Sequence, residues 1–197
     1  YESQFEEATI ELLREAHWQY AFGDDIHRKY TDPLIEEDLR NFLTVQYKDK
    51  NLTTSEMDSI VANLRNTGGQ NDYYALRNTF LLYRDGYDFA YSDGRDNPFR
   101  LEYIDFEHPD HNIFRCVNQF VMEQGRENRR PDILLFINGI PVCIIELKNP
   151  TKQNATIHDA HTQICTRYMR DIPALLKYCA LAVISDGAKN ALGTTYT

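Results

Sequence analysis

Arg130-Pro131-Asp132-Ile133-Leu134-Leu135-Phe136-Ile137-Asn138-Gly139-Ile140-Pro141-Val142-Cys143-Ile144-Ile145-Glu146-Leu147-Lys148 is the stretch that decides the fold. Asp132 to Ile137 and Val142 to Leu147 are apolar on both faces, the signature of central strands covered on each side, and Asn138-Gly139 joins them as a hairpin. Into this apolar hairpin the sequence puts Asp132, Glu146 and Lys148. A buried carboxylate is costly unless it is paired, hydrogen-bonded or metal-bound. Glu146 and Lys148, two apart on one strand, share a face and can neutralise each other as a plain ion pair. Such a pair does not explain Asp132, whereas two carboxylates beside one lysine suit a hard, oxygen-seeking cation such as Mg²⁺.

Register tests whether the three groups meet. A strict two-residue loop at Asn138-Gly139 sets Asp132 opposite Ile145 and turns Glu146 to the other face. A shared site needs Asp132 opposite Glu146, which requires a three-residue loop or a bulge with Gly139 in a left-handed conformation.

Downstream, Thr156 to Arg170 reads as helix, Pro173 breaks it, and Tyr178 to Ile184 is a further buried strand ending at Ser185-Asp186-Gly187. Upstream, Leu101, Tyr103 and Ile104 form one expected strand and Phe114, Cys116 and Phe120 a second paired with it. His108-Pro109-Asp110-His111-Asn112 is their turn. Earlier still the chain is helical. Phe5, Ala8, Leu12, Leu13 and Ala16 predict a helix over Ser3 to Tyr20 that Gly23 ends. Thr31-Asp32-Pro33 opens a second, burying Leu34, Leu39, Phe42 and Leu43. Thr53 and Glu56 have capping-box spacing before Met57, Ile60, Val61 and Leu64. Asp72 to Tyr83 is a fourth helix. Tyr73, Tyr74, Phe80, Tyr83, Tyr87 and Tyr91 have the stacking chemistry of base contacts, but helical spacing assigns most of them to core packing. Asp24 and Asp25 read as turn residues.

A chain of 197 residues holds one core, and 42% hydrophobic with 26% charged residues is the profile of a globular protein. No apolar run approaches a membrane span and no signal-peptide layout appears, so no membrane association and a cytoplasmic location are expected. Cys116, Cys143, Cys165 and Cys179 are too dispersed for a zinc knuckle or a disulfide framework. The net charge of −9 excludes nucleic-acid binding by broad electrostatics, so any such contact is local. Arg126, Arg129 and Arg130 are the nearest basic cluster to Asp132, read as a loop able to hold DNA phosphates. His108 and His111 read as turn residues because Pro109 interrupts a regular helix, and they are assigned no metal. The chain begins without Met and stops after a strand-like run, so a longer polypeptide is expected.

Pro131-Asp132 followed by Glu146-x-Lys148 is similar to the PD-(D/E)xK nuclease motif. With Ala160, Gln163, Tyr168, Asp171-Ile172-Pro173 and Ala182 to Gly187, the region from Gly125 to Gly187 resembles the N-terminal nuclease domain of the restriction (R) subunit of type I restriction-modification enzymes. "FEEATIELL" and "YAFGDDIHR" extend the resemblance towards the N-terminus. It implies a Mg²⁺-dependent endonuclease acting on double-stranded DNA, together with modification and specificity subunits. ATP enters only through a downstream motor, since this chain has no GxxxxGK[ST] loop. The resemblance makes Asp132, Glu146, Lys148, Gln163 and Tyr168 the catalytic set, with Asp132, Glu146 and Glu7, preferred to Glu6, on the metal. In the family pattern Gln and Tyr are four apart; here they are five apart, which on a regular helix puts them on different faces.

The expected fold is therefore α/β, a restriction-endonuclease-like mixed sheet with a central hairpin flanked by helices. One domain spans 1–197, with a helical insertion at about 31–85 and the catalytic sheet core at about 98–187. Two other readings remain: a catalytically silent DNA-binding or docking domain that couples a motor to partner subunits, and a structure-specific nuclease or resolvase.

Overall fold

The computed structural model describes residues 2–148 and 157–195, and side chains within those ranges from Gln4 and from His158 onward. The architecture is mixed α/β. Helix α1 (Glu2–Glu15) is followed by β1 (Gln19–Phe22), then by α2 (Glu36–Gln46), α3 (Thr54–Asn66) and α4 (Asp72–Asp85). A small ribbon, β2 (Tyr87–Phe89) with β3 (Phe99–Leu101), leads to β4 (Phe114–Asn118), the ribbon β5 (Met122–Gln124) with β6 (Glu127–Arg129), and the hairpin β7 (Ile133–Ile137) with β8 (Ile140–Leu147). A continuous helix then runs through α5 (Ile157–Thr162), a π-helical turn at Gln163–Tyr168 and α6 (Met169–Asp171). The short α7 (Pro173–Leu176), β9 (Leu181–Ser185) and β10 (Asn190–Gly193) follow.

Six strands form one mixed sheet in the order β1-β4-β7-β8-β9-β10, with β1 parallel to β4 and β8 parallel to β9. The β7–β8 hairpin lies at its centre, as its two-sided apolar pattern requires. Ile133, Cys143, Ile145 and Leu147 pack under Ile10 of α1. Leu134, Phe136 and Ile144 point the other way, against Ala160, Ile164, Tyr168 and Leu175 of the helices after the hairpin. Fully burying one such Leu or Ile contributes roughly 1.5–3 kcal/mol, so the alternation of faces along both strands is strongly held. The third cluster joins Leu39, Phe42, Ile60, Leu64 and Tyr83 of α2–α4 to Ile140 and Tyr178.

Several elements differ from expectation. The first helix stops at Glu15 rather than Tyr20. His17 takes a left-handed φ of 67°, and the aromatic run after it becomes β1, which pairs with β4. The second helix starts at Glu36 instead of at Pro33, because the Asp32 side chain accepts from Leu34 N in a local turn. The segment at Leu101 does not pair with β4; β3 pairs with β2, and β4 lies between β1 and β7. The main sheet also draws on 19–22 and 190–193, outside 98–187. The capping box is present: Thr53 Oγ1 accepts from Glu56 N, and the Glu56 carboxylate accepts from Thr53 N. No described helix is long and apolar enough to cross a membrane, and all four cysteines are free.

Candidate active site

The hairpin turn is strictly two-residue: Ile137 faces Ile140 and Phe136 faces Pro141. Asn138 and Gly139 have φ of 50° and 76°, both left-handed, as the tight turn suited to a right-twisted hairpin demands. A Cβ at Gly139 would overlap the Ile35 carbonyl oxygen. This turn alone would split the site. The register shifts between Phe136 and Leu135, so that Leu135 faces Cys143, Leu134 faces Ile144 and Ile133 faces Ile145. Val142 is the extra residue of a β-bulge. Continued by one position, the shifted register sets Asp132 opposite Glu146 on one face. The bulge that a shared site requires is therefore present, in the strand instead of at the turn.

Asp132 Oδ2 accepts from the Leu147 backbone N–H at 2.7 Å, which fixes the carboxylate across the two strands. Glu146 is 1% exposed and Lys148 13%. Lys148 Nζ donates to Glu146 Oε1 and to Gln163 Oε1, each at 2.8 Å. The Gln163 amide donates to Glu146 Oε1 and, at 2.6 Å, to the Tyr168 hydroxyl, which in turn donates to Glu146 Oε2 at 3.2 Å. Four side chains thus close one network, and every polar atom of the Gln163 amide has a defined role in it.

The five-residue spacing of Gln163 and Tyr168 is accommodated by the helix itself. The turn between them is π-helical, and an i→i+5 turn brings residues five apart to the same side. Buried Ile164 and Tyr168 anchor the turn in the core, while Thr166 and Arg167 face solvent.

Burial, reinforced by the negative charge of Asp132, pushes the Glu146 pKa up to about 8, against the opposing pull of Lys148 and of the Tyr168 hydrogen bond. Burial also raises the Tyr168 hydroxyl, so it remains a protonated donor. Two carboxylates beside one ammonium are a set of hard oxygen donors that becomes net negative once Glu146 ionises. That is the chemistry of a divalent-cation site, and a cation would favour the ionised form that burial disfavours.

The other sequence candidates fall around this centre. Glu6 of α1, rather than Glu7, is turned to the end of the sheet, where it accepts from Asn118 Nδ2 at 2.7 Å and from Gln119 Nε2 at 3.1 Å. Gln119 N donates to the Asp132 carbonyl at 3.2 Å. Glu7 is exposed on the rim of a groove of about 620 Å³ that Glu6, Arg14, Asn118 and Gln119 also line. Among the described residues it does not join Asp132 and Glu146 in a three-ligand group. The arginine cluster spans the β5–β6 turn and the end of β6, with Arg129 alone in the strand, and its members differ. Arg126, in the Gly125-Arg126 turn, and Arg130 are exposed. Arg129 is committed: its Nε donates to Asp171 Oδ2 at 2.7 Å and its Nη2 pairs with Glu127 at 2.8 Å. Of the three arginines read as able to hold DNA phosphates, Arg129 is thus engaged within the protein. Asp171, which Arg170 also engages, is a structural partner that the sequence reading did not single out, tying the end of α6 to β6. Its only sequence signal was its place in Asp171-Ile172-Pro173.

A mixed sheet whose central hairpin carries two carboxylates and a lysine at one end, locked by a glutamine and a tyrosine from the following helix, defines a class of α/β protein with a polar site at a strand end. Comparison with known proteins gives its family. Residues 1–197 match the family model described as type I restriction enzyme R protein N terminus, and the chain belongs to that family. It is 30% identical over 204 residues to the type I restriction enzyme HindI endonuclease subunit of Haemophilus influenzae, covering 98% of this chain and 19% of that protein. It is 31% identical over 197 residues to the putative type I restriction enzyme MjaIXP endonuclease subunit of Methanocaldococcus jannaschii, covering 96% and 19%. Over 105 residues it is 33% identical to the type I restriction enzyme EcoprrI endonuclease subunit of Escherichia coli, covering 51% and 31%. The chain thus spans about a fifth of the length of the first two relatives.

Proposed function

We propose that this chain is the DNA-cleaving module of a type I restriction R subunit, a Mg²⁺-dependent phosphodiester hydrolase with a restriction-endonuclease-like sheet and a PD-(D/E)xK site. The observation that carries the reading is the convergence of Asp132, Glu146 and Lys148 at one sheet end, held by Gln163 and Tyr168. Family membership supports it, since the relatives are named endonuclease subunits.

Asp132 and Glu146 would hold Mg²⁺, which supplies Lewis-acid polarisation of the scissile phosphate and lowers the pKa of the attacking water. Lys148 brings a fixed positive charge to where negative charge develops on the phosphorane, and its ammonium orients the nucleophile. Gln163 positions both Glu146 and Lys148. Tyr168 holds the second Glu146 oxygen, so the carboxylate does not swing when its charge state changes. Glu7 of α1, exposed on the rim of the groove that Glu6 also lines, would have to approach Asp132 and Glu146 to complete the cation's shell. Arg126 and Arg130 contact DNA phosphates beside the site, local contacts that suit a chain of net charge −9. Double-stranded DNA is the substrate, modification and specificity subunits are the partners, and ATP acts through a motor elsewhere in the polypeptide, in the cytoplasm.

The test is Mg²⁺-dependent DNA cleavage by the full complex carrying wild-type chain, Asp132→Ala or Lys148→Ala. Cleavage is expected to be lost in both variants while the complex still assembles. Retained cleavage in both would overturn the assignment and favour a silent docking domain.

A further inference from the structure

Away from the carboxylate and lysine site, Asp105, His108 and His111 bring ligand atoms within 4.8 Å of one another, the one such group of His, Cys, Asp and Glu among the described residues. Pro109 does prevent a regular α-helix here. It instead starts a single 3₁₀ turn, Pro109–His111, with His108 at the N-cap, and side chains three apart eclipse in a 3₁₀ turn. The two imidazoles consequently stack, centroids 4.9 Å apart and planes 19° from parallel. Both present Nδ1 to the same carboxylate oxygen, Asp105 Oδ2, at 3.6 Å from His108 and 2.9 Å from His111. Ligand atoms about 2.0–2.2 Å from a tetrahedral ion lie roughly 3.3–3.6 Å apart, close to the 2.9 and 3.6 Å at which Asp105 Oδ2 already meets the two rings.

The carboxylate is preset and the rings are open to solvent, an arrangement that suits ion capture. Asp105 is 4% exposed, whereas the side chains of His108 and His111 are 64% and 56% exposed. Asp105 Oδ1 accepts from Glu107 N and His108 N at 3.1 and 2.8 Å, and Gln46 Nε2 donates to Oδ2 at 3.1 Å. Outer hydrogen bonds of this kind aim a ligand and keep it basic.

We infer that Asp105, His108 and His111 form a second metal site, for an imidazole-preferring divalent ion of the Zn²⁺, Co²⁺ or Ni²⁺ class and not for Mg²⁺. Three protein ligands leave water in the fourth position. The site has a structural consequence for the hairpin. Asn112 bonds Asp105 in both directions, accepting from Asp105 N at 2.9 Å and donating to Asp105 O at 2.7 Å. Asn138, in the β7–β8 turn, donates to Asn112 Oδ1 at 2.8 Å and accepts from Ile113 N at 2.7 Å. An ion at Asp105 therefore clamps the segment against which that turn is docked.

The experiment is a Co²⁺ titration of the full polypeptide containing this chain, with Mg²⁺ in excess to occupy oxygen-only sites, read by visible absorption. Wild type is expected to bind one equivalent with the intense absorption of low-coordinate, nitrogen-ligated Co²⁺. His111→Gln is expected to weaken that binding by at least about tenfold, and His108→Ala/His111→Ala to abolish it. Both histidines are exposed, so far-UV circular dichroism of the variants should match wild type, and Co²⁺ should raise the Tm of wild type alone. Absence of Co²⁺ absorption in wild type would overturn the inference whatever the variants do. Equal Co²⁺ binding by the double variant would overturn it as well.

Discussion

Glu146 offers the most quantitative test of the site, because the fold alone disfavours its charge. From the ordinary value of 4.5 burial pushes its pKa up to about 8, a rise of about 3.5, which corresponds to roughly 5 kcal/mol between the two protonation states. Below pH 4.5 the carboxyl is protonated in folded and unfolded chain alike and costs nothing. Between 4.5 and 8 the unfolded chain ionises while the folded chain keeps its proton, so metal-free stability falls by up to about 1.4 kcal/mol per pH unit. Above 8 the whole cost, up to about 5 kcal/mol, is in force, a large part of the 5–15 kcal/mol typical of a domain. Glu146→Gln removes the titration while keeping the shape. Urea unfolding of this chain in EDTA, at half-unit steps from pH 5 to 8.5, would give the difference between variant and wild type. The variant should be close to wild type at pH 5 and more stable by several kcal/mol at pH 8.5. Mg²⁺ should then raise the stability of wild type and leave the variant unmoved. A difference curve flat to within about 1 kcal/mol across the range would refute the argument from burial, and with it the reason given for a cation.

Gly139→Ala forces a Cβ into the Ile35 carbonyl at a φ of 76°; it should cost at least about 2 kcal/mol and lower Tm by roughly 4–8 °C, and an unchanged Tm would show that the turn is not clamped there. Arg129→Ala should lower the unfolding midpoint by breaking the tie to Asp171, whereas Arg126→Ala should leave Tm alone and reduce the salt slope of DNA binding by about one; equal effects of both on DNA binding alone would contradict the division of roles. Gln163→Ala should slow cleavage by about 10–100-fold without altering Tm much. Deleting Thr166, exposed in the π-helical turn, should convert that turn to α-helix with Gln and Tyr four apart and keep cleavage within about tenfold of wild type. Loss as deep as that of Gln163→Ala would mean that the wider turn itself is required.

The central hairpin was legible because two local signals agreed: strands apolar on both faces and an Asn-Gly turn. The charged trio stood out for the same reason, since charge within an apolar strand demands a partner. Helices α3 and α4 were equally plain from their helical spacing, and α3 carries its capping box at the expected place. β1 was hidden because Phe5 to Ala16 carries a helical period into Trp18-Gln19-Tyr20-Ala21-Phe22, and only the left-handed His17 separates them. Pairing was hidden too. Nothing local tells β3 to choose β2 over β4, because that choice is made by where α4 delivers the chain and by the match of β4 to both β1 and β7. The pairing of Arg129 with Asp171 joins residues 42 apart, which no spacing rule anticipates.

The site itself depends on two insertions of a single residue, and each acts through the geometry of its own element. In a strand one extra residue exchanges faces. Without the bulge at Val142, Glu146 and Lys148 would turn together towards α1, on the side of Ile10 and Ile133, and Asp132 would be left on the opposite side of the sheet. The carboxylate would then be buried without Gln163 and Tyr168, at a cost of several kcal/mol. In a helix one extra residue rotates the downstream turns by about a third of a revolution, and without the π-helical turn the Tyr168 hydroxyl would leave Glu146. Both irregularities restore the same thing, the facing of polar groups across an otherwise apolar interface. What is maintained is therefore a common face and not a spacing in sequence. The turn at Asn138-Gly139 stays regular because it is already docked on Ile35 and Asn112, and the correction falls at Val142, where a strand can bend without breaking those contacts.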